Sequence, residues 1–446
     1  MNGARNPSPD DAARPSSDAA SREEATGRDA SGRPEATVVI IGSGQAGGRA
    51  AEALRLGGHT GPITLVGDES HPPYERPALS KGFLKDASLD AIAWVRPAAW
   101  YAQSGITLLR GRKAVRIDRA DGAVELDDQS RIEYQTLVLT TGTRARTLAL
   151  EGAAHPRVSY LRTIEDSQRL ERSLGAGAHL VVIGAGFIGM EVAAAARLRG
   201  CAVTVLELAD VPMARAIPPV LGAAYTDLHR AQGVDVRTSI SVRRITDENG
   251  RARVHTDGGE FLADAVLIGI GVVPNVDLAQ VAGLEIENGV VVDEYGRTTD
   301  PRIFAAGDVT SHFNPLLGRR VRLESWQNAQ NQAIAVARNI LGAAKPYAEV
   351  PWFWSDQFDW NLQIAGLPQA GDEVVQRGAL GRGPVVFFHL RGGKLAAAIG
   401  INSARDVRFG KEIIAFGGGV SAAELADASL SLASICGALK RAAKAA

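Results

Sequence analysis

Unbroken apolar runs, helical stretches and glycine turns alternate along this chain, and two of the runs end in the same way. Val38-Val39-Ile40-Ile41 leads into Gly42-Ser43-Gly44-Gln45-Ala46-Gly47, and Val181-Val182-Ile183 leads into Gly184-Ala185-Gly186-Phe187-Ile188-Gly189. A β-branched run without polar alternation reads as a strand buried on both faces, and the Ala-rich stretch behind each glycine turn reads as a helix. The first unit is strand 37–41, helix 45–57 and strand 62–66, closing at Gly67-Asp68-Glu69; the second closes on the strand Ala202 to Leu206 and Glu207. A Pro-rich loop from His71 to Lys81 follows the first unit. Strands are predicted over 106–109 and 113–117, a hairpin over 123–134, and a strand ending at Thr140-Thr141-Gly142. Apolar positions then fade until 180. Further on, Ala265 to Ile270 reads as a strand running into Gly271, Phe304-Ala305-Ala306-Gly307-Asp308 as a strand ending at an exposed acid, and 327–341 as a helix. Beyond 343 the pattern changes: Trp352, Trp354 and Trp360 crowd together, followed by alternating strands and a last Ala-rich helix.

The predicted fold is α/β: two Rossmann-like dinucleotide-binding domains, a duplication, plus a smaller α+β C-terminal domain. The divisions are 37–147 and 272–342 for a first domain in two parts, 148–271 for a second domain inserted between them, and 343–446 for the third. In each fingerprint the glycines make a tight turn, let the backbone approach a pyrophosphate and let the next helix pack close, while that helix's N-terminus offers free N–H groups to the phosphates. One such motif is a weak signal. Two on one chain imply two dinucleotides held together, and the chemistry that needs two is electron transfer from a nicotinamide to a flavin. Acids closing the second strand of each unit are placed for ribose hydroxyls: Asp68 or Glu69 in the first, Glu207 in the second. Glu207 would repel the 2′-phosphate of NADP and favour NADH, a choice Arg215 could soften.

Composition removes several classes. Lys and Arg number 49 against 50 Asp and Glu, so no basic surface points to nucleic acid or an anionic membrane. No apolar stretch reaches the ~18–20 residues of a membrane helix. The only cysteines, Cys201 and Cys436, lie far apart, which excludes a disulfide framework and fits a cytoplasmic location. None of the eight histidines falls at metal-ligand spacing. Residues 2–36 contain no Val, Ile, Leu, Met, Phe, Trp or Tyr and seven acids, the composition of a disordered tail and not of a secretion or organelle signal.

Several stretches together resemble a known family. They are the two glycine motifs, Tyr74-Glu75-Arg76-Pro77-Ala78-Leu79-Ser80-Lys81, Thr141-Gly142, Leu161-Arg162-Thr163, Glu191, Ala305-Ala306-Gly307-Asp308, Glu324-Ser325-Trp326-Gln327-Asn328-Ala329 and Pro351-Trp352-Phe353-Trp354-Ser355-Asp356-Gln357. In this order the chain, from about 37 to 440, resembles the NADH-dependent ferredoxin reductases of bacterial oxygenase systems, of the biphenyl-dioxygenase and putidaredoxin-reductase kind, within the glutathione-reductase-like flavoproteins. The resemblance implies FAD held by Gly42, Gly44, Ala46, Gly47, Asp68, Arg76, Lys81, Ala114, Thr141, Gly142, Arg162, Asp308 and Trp326. It implies NADH held by Gly184, Gly186, Ile188, Gly189, Glu207 and Gly271. Ala114 stands where a relative has valine, a change that a backbone contact tolerates.

The candidate reaction-centre residues are Lys81, Glu191 and Trp326. A loop lysine is ordinarily solvated; the resemblance puts Lys81 at the flavin N5 edge, where its charge favours the reduced ring, and pairs it with Glu191. Glu191, in a first helical turn, would otherwise serve the helix dipole. Trp326 is implied to lie on the flavin face, at the exit for electrons. Arg319, Arg320 and Arg322 either steer an acidic ferredoxin or form a solvated turn. No cysteine lies before 201, so the thiol relay of disulfide reductases is missing and electrons must leave the flavin for an outside acceptor. The implied acceptor is a [2Fe–2S] ferredoxin serving a Rieske dioxygenase or a cytochrome P450. Rubredoxin, monodehydroascorbate or a quinone stays open as acceptor, as does a binding flavoprotein of the apoptosis-inducing-factor kind.

Overall fold

The computed structural model describes residues 36–445 apart from Ala87; the tail expected over 1–36 lies, but for its last residue, outside the described residues. Both glycine-bearing strands sit at the centre of a five-stranded parallel sheet. In the first sheet the order is Ile303–Ala305, Thr136–Leu139, Val38–Ile41, Ile63–Gly67, Ile106–Arg110. In the second it is Val158–Ser159, Ala265–Ile268, His179–Ile183, Ala202–Leu206, Val234–Arg237. The duplication reaches further than the fingerprints. In each unit a three-stranded antiparallel meander sits between the same two sheet strands: Ala114–Asp118, Ala123–Leu126, Arg131–Glu133 in one, and Val242–Glu248, Arg251–Thr256, Gly259–Ala263 in the other.

The continuous apolar runs are explained by burial on both faces: Val38, Val39 and Ile40, like Leu180, Val181 and Val182, are wholly inaccessible. Helix Gln45–Leu56 lies against helix Trp326–Ile340, and Ala50, Ala51, Ala333 and Ala337 at their contact let the backbones approach closely. The two dinucleotide units are joined by an antiparallel pair, Thr143–Ala145 with Val272–Pro274, clamped where Thr141 and Asn275 exchange hydrogen bonds at 2.8 Å each. The last domain is a five-stranded antiparallel sheet, Trp352–Gln357, Trp360–Gly366, Lys394–Ile401, Val385–Arg391, Glu373–Gly378. Helices Ala404–Phe416 and Leu432–Ala445 cover one face. The other face, through Leu362, Ile364, Phe387 and Ile399, rests on Leu221 and Tyr225 of helix Pro219–Ala231 in the second unit.

Three expectations change. The stretch before 180 holds the short strand Val158–Ser159 and a helix, Ile164–Glu171, started by a Thr163–Asp166 capping box in which backbone bonding does the work of apolar periodicity. The strand from Ala265 stops at Ile268, and Gly269 follows it with its carbonyl oxygen against Gly184 of the glycine turn. The Arg319–Arg322 segment is a paired strand, Arg319–Val321, and not a free turn. Among the described residues no helix is long and apolar enough to cross a membrane.

Candidate active site

The two fingerprint loops open onto one cavity of about 1950 Å³ that runs between both dinucleotide units and under the C-terminal sheet. A single small-molecule site occupies about 300–1000 Å³, so this volume suits two extended ligands end to end. Each fingerprint divides its labour among its glycines. Gly42 and Gly184 have φ of +107° and +101°, and a Cβ on either would meet the carbonyl oxygen of Thr140 or Gly269 at 2.3 and 2.6 Å. Gly47 and Gly189 face the helix contact, where a Cβ would lie 1.9 and 2.1 Å from the carbonyl of the first glycine, and neither lines the cavity. Gly44 and Gly186 differ: no protein atom comes within 3.8 Å of the Cβ position, so the protein itself does not require glycine there. Both line the cavity, where the pyrophosphate of a dinucleotide would approach the backbone.

Other parts of the wall point to the same chemistry. Gln45, Arg162, Asp308 and Trp326 line the cavity and carry buried polar atoms (both amide atoms, Nε, Oδ1 and Nε1) with no hydrogen-bond partner among the described residues. Buried polar atoms are seldom left so. Val281 and Leu208 are 78% and 73% exposed, and both stand on the cavity wall as apolar surface, in the first and the second unit respectively. A charged, hydroxyl-rich dinucleotide with a flat base meets both kinds of wall. The residues fit FAD in the first half and NADH in the second.

Asp308 corrects an expectation. It is not an exposed strand-end acid: its side chain is 16% exposed in the cavity wall, 3.8 Å from Arg162. Burial lifts its carboxyl to about 6, and burial beside Arg76 lowers the Arg162 guanidinium to about 10. The candidate ribose acids differ in their partners. Glu69 is taken by Tyr74 and Arg76, at 2.5 Å each, which leaves exposed Asp68 facing the cavity. Arg76 also donates to the Arg162 carbonyl at 2.6 Å, so it braces the wall. In the second unit both Glu207 oxygens accept backbone N–H groups, from Ala185 at 2.6 Å and Ala209 at 2.8 Å. Ala46, Ala114, Thr141, Gly142, Ile188 and Gly271 line the cavity as well, with Arg215 on the wall at Gly271.

At the junction of all three domains, Lys81 Nζ lies 2.7 Å from Glu191 Oε2. Lys81 caps the short 3₁₀ turn Arg76–Ser80, which Ser167 anchors by donating to the Leu79 carbonyl at 2.8 Å. Glu191, 3% exposed, receives two more donors: Ser80 Oγ at 2.5 Å and Ser355 Oγ at 2.7 Å. Trp326 opens its helix behind the N-cap Ser325, and its ring meets Trp354 edge-on at 6.0 Å; Trp354 in turn stacks on Trp352 at 5.2 Å. Gln45, Ser80, Phe353, Trp354 and Ser355 join the expected residues at the site; Ser80 belongs to the stretch Tyr74–Lys81, the last three to Pro351–Gln357, and Gln45 to the first fingerprint.

The arginine cluster separates. Arg320 donates to the carbonyls of Val292 at 2.9 Å and Ser311 at 2.5 Å, and Arg322 to Glu324 at 2.5 Å. Both are engaged in holding the strand, leaving only Arg319 of the three as an exposed charge. Neither cysteine lines the cavity; both are buried, and burial pushes both thiols up.

Residues 36–333 match the pyridine nucleotide-disulphide oxidoreductase family, and residues 352–436 match a reductase C-terminal domain. The chain is 47% identical over 396 residues to the ferredoxin–NAD(+) reductase component of the anthranilate 1,2-dioxygenase system of Burkholderia cepacia, covering 88% of this chain and 98% of that one. Among solved structures it superposes on a ferredoxin reductase for the CYP199A2 system of Rhodopseudomonas palustris with a TM-score of 0.87 at 39% identity, covering 90% and 99% of the two chains. It also superposes on the covalent putidaredoxin reductase–putidaredoxin complex with a TM-score of 0.87 at 37% identity, covering 91% and 99%.

Proposed function

The chain belongs to the pyridine nucleotide-disulphide oxidoreductase family, and on that premise we propose that it is an FAD-containing NADH:ferredoxin reductase serving an oxygenase. The balanced reaction takes one NADH and two oxidised [2Fe–2S] ferredoxins to NAD⁺, a proton and two reduced ferredoxins. The observation that carries this reading is the single cavity lined by both fingerprints and by no cysteine. Electrons that enter such a cavity have no thiol to leave by and must pass to an external carrier. Bound FAD supplies the conversion of a two-electron hydride into single electrons.

The protein's part is orientation and electrostatics. Gly42, Gly44 and helix Gln45–Leu56 would hold the FAD pyrophosphate, Asp68 its adenosine ribose, and Asp308 with Arg162 its ribityl chain. Gly184, Gly186 and Ile188 would hold the NADH pyrophosphate and Glu207 its ribose. Lys81 places a cation in the wall where the two halves meet, fixed there by Glu191. Trp326 would cover the flavin and, with Trp354, form the wall through which electrons leave. The working location is the cytoplasm.

Anaerobic rapid mixing of the purified FAD protein tests this. NADH should bleach the flavin faster than NADPH, and a [2Fe–2S] ferredoxin should then reoxidise it rapidly. A persistent long-wavelength charge-transfer band with no transfer to ferredoxin would refute the assignment.

A further inference from the structure

Glu191 terminates a line of buried hydrogen bonds that begins at a residue outside the cavity lining. His229, in helix Pro219–Ala231, lies with Nε2 3.0 Å from Gln357 Oε1; Gln357 Nε2 reaches Ser355 Oγ at 3.1 Å; and Ser355 Oγ reaches Glu191 Oε1 at 2.7 Å. His229, Gln357 and Ser355 are wholly inaccessible to solvent, so no water competes for these bonds. Their direction follows from chemistry. The carboxylate oxygen only accepts, so Ser355 donates to it and must accept from Gln357. That fixes the amide with its N–H₂ toward Ser355 and its oxygen toward His229, whose Nε2 must then carry the ring proton. Gln357 Nε2 also faces Met213 Sδ at 3.7 Å, a contact that suits a donor. All three links therefore point at Glu191. A line of aligned donors strengthens the last bond, and bonds to a charged acceptor in a dry site are the strong ones.

The line crosses domain boundaries twice. Helix Pro219–Ala231 belongs to the second dinucleotide unit, Ser355 and Gln357 to strand Trp352–Gln357 of the C-terminal sheet, and Glu191 again to the second unit. The carboxylate it serves holds Lys81 of the first unit. We propose that Ser355, held by Gln357 and His229, is a positioning residue for hydride transfer: it fixes the Glu191 carboxylate so that Lys81 stands at a set point in the cavity wall. The C-terminal domain then helps set the charge balance at the junction of the two nucleotide sites, besides roofing them. This rests on the reading of the cavity as a flavin–nicotinamide site.

The test uses the FAD-loaded full chain, wild type and Ser355→Ala, with Gln357→Leu as a second variant that keeps the hydroxyl but removes its support. Two readouts are needed. Anaerobic rapid mixing with NADH gives the limiting rate of flavin reduction and the NADH Kd. Photochemical titration without NADH gives the midpoint potential of the bound flavin. Ser355→Ala should lower the limiting rate about tenfold, the effect of losing one hydrogen bond to a buried charge. NADH Kd should stay within about twofold of wild type, since the contact acts on the reacting end and not on the adenosine end. The potential should move to more negative values, because a carboxylate with one donor fewer opposes the gain of negative charge nearby. Gln357→Leu should move both readouts the same way by less. A native rate and potential in Ser355→Ala would overturn the proposal, as would a rate that falls only in proportion to lost FAD. Wild-type flavin that NADH cannot reduce would instead refute the functional reading, while the potential shift would still decide the role of Ser355.

Discussion

Asp308 exposes a cost built into the cavity wall. Its carboxyl is raised from the ordinary value to about 6, and burial is the main cause; the attraction of Arg162 is already part of that balance and does not cancel it. A raised carboxyl means that the folded protein holds its proton more tightly than the unfolded chain does. Below pH 4 both are protonated and nothing is lost. Between pH 4 and 6 the unfolded chain ionises first, so stability falls as pH rises, and above pH 6 the full penalty applies. A shift of about two pH units corresponds to roughly 3 kcal/mol. Asp308→Asn keeps the shape and removes the charge. In FAD-stripped protein it should raise the unfolding midpoint at pH 8, by about 3–4 °C if the whole figure is expressed, and leave the midpoint near pH 3 almost unchanged. The same variant should lose FAD on dialysis more readily than wild type, because Asp308 is assigned to the ribityl chain. Differential scanning fluorimetry across pH, with flavin absorbance after dialysis, measures both. Equal or lower stability of the stripped variant at pH 8 would refute the argument that burial of this charge is net unfavourable.

Four further outcomes follow from the structure. Gly44→Ala should leave the melting temperature of stripped protein within about 2 °C, since no protein atom obstructs the methyl, yet lower FAD content sharply; Gly47→Ala should cost several kcal/mol of stability instead, its methyl meeting a backbone carbonyl. Lys81→Ala should slow flavin reduction more than it lowers FAD retention, and loss of FAD with an unchanged rate per bound flavin would remove Lys81 from the reaction centre. Glu207→Ala should raise the NADH KM and narrow the preference over NADPH, which steady-state ratios of kcat/KM report; unchanged selectivity would take it out of the nucleotide site. His312 is buried with neither ring nitrogen bonded among the described residues, and burial holds its imidazole down to about 4. The unfolded chain therefore takes up a proton that the folded one refuses as pH falls from 6.5 to 4, so His312→Phe should flatten the acid loss of stability over that window, and an unaltered acid limb would show that the ring is hydrated.

What the sequence conveys and what it hides divide along one physical line. Elements set by local rules were legible. The runs Val38–Ile41 and Val181–Ile183 announced central strands, and Gly42, Gly44 and Gly47 with Gly184, Gly186 and Gly189 announced two nucleotide turns that open on one cavity. Helix Ile164–Glu171 was missed because Thr163 and Asp166 start it through backbone bonds, a signal that hydrophobic periodicity does not register. A strand-end acid is usually exposed, and Asp308 departs from this because the fold brings Arg162 of the second unit and Arg76 of the first beside it. Arg320 was read as a free charge because the carbonyls of Val292 and Ser311 that bind it are set by the fold and not by neighbouring residues. The three donors around Glu191 come from positions 80, 81 and 355, and nothing local links 355 to 80.

The duplicated unit also shows how one backbone plan serves two different nucleotides. In the first copy the acid nearest the strand end with a partner, Glu69, is consumed by Tyr74 and Arg76, and the wall is completed by Asp308, carried on a segment that returns only after the whole second unit. The FAD side is thus closed by pieces far apart in sequence. Releasing a ligand there means loosening contacts among several elements, the arrangement expected of a cofactor that stays bound. In the second copy the fingerprint, Glu207 and Leu208 all come from one continuous stretch, and Glu207 is pinned by the N–H groups of Ala185 and Ala209. Pinning makes the charge rigid: with both oxygens held, the carboxylate cannot swing aside for a 2′-phosphate, so discrimination against one would come at the turn itself, and Arg215, on the wall by Gly271, would have to reach that turn to relieve it.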